Sequence, residues 1–71
     1  MKDIRPQIPM PIEDLRLAVG YKSRGGFGGV VSGRVQAGFK LAIAIEEATD
    51  KAVMRGDLRP DLWPDHVTPA A

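Results

Sequence analysis

Apolar residues recur with helical spacing in one early segment and with an ambiguous period in a later one, and the stretch between them has no clear period. Over 11–19, Ile12, Leu15 and Val19 fall three and four apart, with Leu17 and Ala18 beside them. That spacing draws one apolar stripe along a helix. Pro11 suits the first helical position, Glu13 and Asp14 favour the positive end of the helix dipole, and Gly20 can close the helix in a left-handed cap. A short helix is predicted, one that persists only when packed on something.

Residues 36–49 fit two periods at once. Phe39, Leu41, Ile43 and Ile45 alternate with Lys40, Ala42, Ala44 and Glu46, as on a strand, while Leu41, Ala44, Ile45, Ala48 and Ala52 share one helical face. The alanines, leucine and glutamates favour helix, with a strand over 39–46 as the alternative. The helix leaves Phe39 and Ile43 on its opposite side, where they need a partner surface. Beyond it, Val53 and Leu58 anchor a connector and a compact helical turn, with Asp57 placed to cap the turn over Leu58 and Arg59. Trp63, bracketed by Pro60 and Pro64, reads as a lid over a small core.

The ends look irregular. Prolines at 6, 9 and 11 make residues 1–10 an extended arm, suited to reaching into a groove, packing on a dimer mate or fraying. Residues 65–71 read as a flexible tail. The domain proper spans 11–64: mainly α, about four short helices behind a proline-rich arm, or α+β if 39–46 is a strand.

With 71 residues the chain makes one small domain of marginal core size. It has no cysteine and one histidine, His66, so disulfides, thiolate metal sites and a histidine cage are excluded. No cofactor is expected. No apolar run approaches the roughly 20 residues that span a bilayer, so a cytoplasmic protein with no membrane partner is the default. Residues 1–40 carry seven basic and three acidic side chains, and residues 41–71 carry three basic and six acidic ones. One basic half suggests a face for a polyanion.

Catalytic groupings are absent. Ser23 and Ser32 have no histidine or lysine placed as a base, and Glu46 and Glu47 diverge on a helix. Residues 20–34 hold six of the eight glycines, yet lack the Gly-Lys-Ser/Thr ending of a phosphate loop. An enzyme is not expected. Two binding readings of this stretch remain. Arg24-Gly25-Gly26-Phe27 matches one unit of the arginine-glycine-glycine pattern of RNA-binding segments. Alternatively, a helix over 12–19, a turn at Gly20 and a second helix over about 24–32 lay out a helix-turn-helix, with Phe27, Val30 and Val31 facing inward. Tyr21, Lys22, Ser23 and Arg24 then stand at the groove-facing end, with Arg34 and Lys40 placed for phosphates.

The runs Ala44-Ile45-Glu46-Glu47-Ala48-Thr49, Ala52-Val53 and Asp57-Leu58-Arg59-Pro60-Asp61-Leu62-Trp63-Pro64 resemble the end of phage-type Cro/YdaS helix-turn-helix proteins. Val31-Ser32-Gly33-Arg34 resembles the close of that family's recognition helix. The likeness is close over 41–64 and loose over 12–64. It implies a small helical DNA-binding regulator of phage or prophage origin in a bacterial host, acting as a homodimer on operator DNA. Tyr21, Lys22, Ser23, Arg24, Ser32, Arg34 and Lys40 are the DNA-contact candidates, and Phe39, Ile43 and Trp63 the partner-interface candidates. Arg16 stands where the family usually has alanine, the turn after Gly20 is about one residue longer, and four glycines lie within the recognition helix. A second implication is a scaffold that inhibits a host protein through Phe27, Phe39, Ile43 and Trp63.

Overall fold

The computed structural model describes residues 3–68. A 3-10 turn at Arg5–Gln7 leads to four helices: α1 (Ile12–Val19), α2 (Arg24–Ser32), α3 (Phe39–Ala48) and α4 (Arg55–Leu58). No strand occurs among the described residues, so 39–46 is helical and the α+β alternative falls. The arginine-glycine-glycine stretch is helical too, not a loop.

Gly20 ends α1 in a left-handed conformation, φ 74°, and donates its N–H to the Arg16 and Leu17 carbonyls. Ser23 starts α2, its Oγ accepting the Gly26 N–H at 3.0 Å. Four glycines cost α2 about 0.5–1 kcal/mol each relative to alanine. Phe27, Val30 and Val31 offset this, since all three are buried and each large apolar side chain contributes about 1.5–3 kcal/mol. Packing, not propensity, makes this helix.

The inward face of α3 differs from the expected one. Ala42, Ile45 and Glu46 are buried, followed by Thr49, while Leu41 and Ala48 are only partly covered. The face has turned to bring in Glu46, whose Oε1 accepts the Arg55 N–H at 2.9 Å and whose Oε2 pairs with the Arg55 guanidinium at 2.9 Å. A buried carboxylate thereby caps the start of α4. After α3 the chain turns through two left-handed non-glycine residues, Asp50 (φ 51°) and Lys51 (φ 66°). Thr49 braces that turn, donating to the Ile45 carbonyl and accepting the Val53 N–H at 3.1 Å.

Both ends of the described chain belong to the domain. Ile4 is fully buried with Leu15, Phe27, Val31, Ile45 and Val53, and its N–H donates to the Val31 carbonyl at 2.9 Å. The arm therefore packs on its own α2. Residues 65–68 are likewise tied down: the His66 carbonyl accepts the Gly56 N–H at 2.7 Å, and the Thr68 N–H donates to Asp57 Oδ1 at 3.0 Å. Residues 3–10 and 65–68, which the sequence reads as part of an extended arm over 1–10 and a flexible tail over 65–71, are packed on the domain here, and 1–2 and 69–71 lie outside the described residues. Trp63 is half-buried against the core, with the Arg55 guanidinium 5.5 Å from its ring centre, in keeping with a lid.

Asp57 joins these segments. Its Oδ2 accepts the Met54 N–H (3.0 Å), the Gln7 amide (3.1 Å) and the Thr68 hydroxyl (2.5 Å), so arm, α4 and tail meet on one buried carboxylate. Burial raises its pKa, but the hydrogen bonds from Thr68, Met54 and Gln7 outweigh burial and hold the carboxyl below its ordinary range. The Arg55 guanidinium lowers Glu46 in the same way, against burial. Gly56 fits by close approach: a Cβ there would stand 2.2 Å from the Trp63 carbonyl oxygen and 2.4 Å from that of His66.

Both depressed carboxyl groups stabilise the fold above their unfolded values and lose that contribution as pH falls through the lower folded ones. The melting temperature is therefore expected to hold level between about pH 7 and 5 and to fall below about pH 4, near the ordinary carboxylate range. Asp57→Asn puts an amide against donors and should cost about 2–3 kcal/mol at neutral pH while flattening, not abolishing, the acid limb; thermal melts across pH check both. Gly56→Ala is expected to unfold the chain or release residues 63–66. Gly25→Ala, where a Cβ meets nothing within 4 Å, should stabilise it by about 0.5–1 kcal/mol in denaturant titration.

Candidate nucleic-acid interface

Three charged side chains link α1 to the turn and the start of α2. Arg16, largely buried on α1, donates from Nη1 to the carbonyls of Tyr21 (2.8 Å) and Lys22 (3.2 Å). These are turn carbonyls that no helix satisfies. Its Nε and Nη2 both reach Glu13 Oε1, the former at 2.8 Å. The other Glu13 oxygen takes Arg24 Nε at 3.1 Å. Hydrogen bonding to Arg16, with the charge of Arg24 adding, holds the Glu13 carboxyl below its ordinary range. A bracket of Glu13, Arg16 and Arg24 thus spans the turn. Arg16 and the turn after Gly20 belong together, because the turn presents the carbonyls that Arg16 binds.

The candidate DNA-contact residues divide by location. Lys22 and Arg24 are exposed at the start of α2, and the Arg24 side chain is 79% accessible despite its ion pair. Ser23 stands between them, but its Oγ is engaged as the helix cap. Tyr21 turns inward, its ring 5.4 Å from that of Phe27, so it is half-buried in the core. At the far end of α2, roughly 13 Å away at helical rise, Ser32 Oγ donates to the Gly29 carbonyl and accepts from Arg34 Nε at 3.1 Å. Lys40 is exposed on the first turn of α3, its Nζ 6.0 Å from the Phe39 ring centre. Two cations therefore stand at one end of α2, one at the other, and one on α3.

Between those ends, Gly25 and Gly28 leave open space where side chains would project, so this part of α2 is bare backbone. Base-edge readout would fall to Lys22 and Arg24, while Arg34 and Lys40 are suited to phosphates. Of the residues put forward for a protein partner, Phe39 is 54% exposed, Ile43 and Trp63 are half-buried, and Phe27 is fully buried. Phe27 is excluded from any surface because the inward stripe of α2 carries it into the core. Glu13 and Arg16 were missed as parts of the site.

Among the described residues no group of three or more His, Cys, Asp or Glu side chains is placed to hold a metal, and no helix is long and apolar enough to cross a membrane. Comparison with protein-family models, curated proteins and solved structures finds no match to this chain.

Proposed function

We propose that the protein is a DNA-binding transcriptional regulator of the phage helix-turn-helix type, with α1 and α2 as the reading unit and a homodimer as the bound form. The observation that carries this reading is the charged bracket across the turn. It holds α2 with its capped start, Lys22 and Arg24 projecting into solvent, behind a left-handed glycine turn. That is the layout a second helix needs to enter a major groove with its first residues. Arg34 and Lys40 neutralise flanking phosphates. Phe39, with Ile43 one turn further on, supplies the apolar contact between protomers.

The bare middle of α2 shapes the expected behaviour. With few base-reaching side chains, phosphate contacts supply most of the affinity, and sequence preference rests on Lys22 and Arg24. A second reading, in which the scaffold grips a host protein, draws on the exposure of Phe39, but the burial of Phe27 removes one of the four side chains from that surface.

Gel-shift selection from random duplex DNA tests the proposal. Enrichment of a palindrome is expected, with Arg24→Ala weakening binding to it by about tenfold or more, in line with the roughly 1–3 kcal/mol of one base-edge contact. Arg34→Ala and Lys40→Ala should weaken binding to all sequences alike, each reducing the log–log salt slope by about one. No duplex binding at low salt, with recovery of one stoichiometric host protein instead, sinks the DNA reading.

A further inference from the structure

A cleft of about 490 Å³ opens between the start of the chain and the outer side of α2, with Arg5, Ser32 and Arg34 among its lining residues. The arm is pinned there: the Ile4 N–H donates to the Val31 carbonyl at 2.9 Å, so Arg5, one residue on, stands beside the end of α2. At Gly28, also on the cleft, an added Cβ would meet nothing within 4 Å, so the helix leaves the cleft open. The carbonyls near this helix end are engaged, Val31 by Ile4, Val30 by Gly33, and Gly29 by Arg34 and Val35. These residues therefore turn no unpaired carbonyl toward an anion in the cleft.

The two guanidinium groups of the cleft differ in state. Arg34 has no acidic partner among the described residues, whereas the other five arginines all pair with carboxylates. Its Nε donates to Ser32 Oγ at 3.1 Å, which orients the side chain and leaves both terminal nitrogens unengaged among the described residues. Arg5 is occupied, because Asp3 takes its Nη2 at 2.6 Å and its Nε at 3.0 and 3.1 Å. Hydrogen bonding to Arg5 holds the exposed Asp3 carboxyl down to about 2, so Asp3 is charged at neutral pH. Two cations less one carboxylate leave a single positive charge.

We infer that this cleft seats one backbone phosphodiester of bound DNA between Arg34 and Arg5, and that Asp3 competes with that phosphate for Arg5. The inference rests on the DNA-binding reading and adds the arm to its contacts. A phosphodiester carries one negative charge, matching the cleft, and its two free oxygens suit guanidinium forks. Arg34 meets it with a fork already oriented by Ser32. Asp3 engages Arg5 along the Nε–Nη2 edge that a pair of phosphate oxygens would take, so the carboxylate is an internal stand-in for phosphate. An exposed ion pair is weak enough to yield to a polyanion whose binding releases counterions.

Fluorescence anisotropy of a labelled random-sequence duplex at low salt tests this on the full chain, since a backbone contact needs no operator. Asp3→Asn removes the charge but keeps the side-chain oxygen that accepts the Arg5 backbone N–H at 3.0 Å. It should bind the duplex about three- to fivefold more tightly, the range of an exposed ion pair, with a log–log salt slope steeper by about one. Asp65→Asn makes the same change in net charge at an exposed position of the tail and should raise affinity less. Arg5→Gln should weaken binding and cancel the gain from Asp3→Asn. All three positions are exposed, and unchanged melting temperatures verify that the variants fold. Duplex binding in which Asp3→Asn gains no more than Asp65→Asn, or keeps its gain beside Arg5→Gln, overturns the inference and leaves the DNA reading standing. No binding by either the native chain or Asp3→Asn overturns both.

Discussion

The buried carboxylate of Asp57 is the constraint on which the rest of this small domain depends. α4 has only four residues and could not persist alone, because the first helical turn fixes several residues for a single hydrogen bond. Asp57 supplies what α4 lacks by accepting the Met54 N–H at its start, and it also draws in Gln7 from the arm and Thr68 from the tail. A polar group this deeply buried is tolerated only when its acceptor capacity is used. Here the partners come from the two ends of the chain. Gly56 completes the junction, since only a residue without a side chain lets the carbonyls of Trp63 and His66 pass so close to α4.

This junction bears on function because it closes the core on which α2 rests. Ile4 is fully buried together with Phe27 and Val31, the two completely covered side chains of α2. The same arm that reaches Asp57 through Gln7 thus also holds the glycine-rich helix, three residues earlier. A helix with four interior glycines has little stability of its own, and its order is borrowed from tertiary contacts on its inner side. The Glu13–Arg16–Arg24 bracket then links its start to α1 across the turn. One side of α2 is held by packing, and its start is capped by Ser23.

Arg34 differs from the other five arginines in having no structural carboxylate partner among the described residues. Those five fasten turns and helix ends. Arg16 closes the turn carbonyls, Arg55 closes the junction of α3 and α4, and Arg59 ties Asp61 to the Ala37 carbonyl at 2.9 Å. An arginine left out of such fastening, at the end of α2, keeps its terminal nitrogens free among the described residues.

The position of α1 was legible in the sequence because local signals set it: Pro11, the acidic first turn and Gly20. The three-and-four spacing of Phe27, Val30 and Val31 supported α2 as one of two readings of its stretch, while α4 begins at Arg55, ahead of the turn over Leu58 and Arg59 that Asp57 suggested. The period of 39–46 was compatible with a strand or a helix, and only the packed structure made it α3. Which side of α3 turned inward was not legible either, because the buried position of Glu46 follows from its contact with Arg55, nine residues on. Least visible were the roles of the ends. Ile4, Gln7 and Thr68 stand in proline-rich, aperiodic sequence, and the partners of Gln7 lie 45 to 61 residues away. Sequence alone determined where α1 begins and ends, since caps and periodicity act within a turn or two. Tertiary structure alone decided which polar groups are buried and that the arm and tail complete the core, since contacts between distant residues leave no local pattern to read.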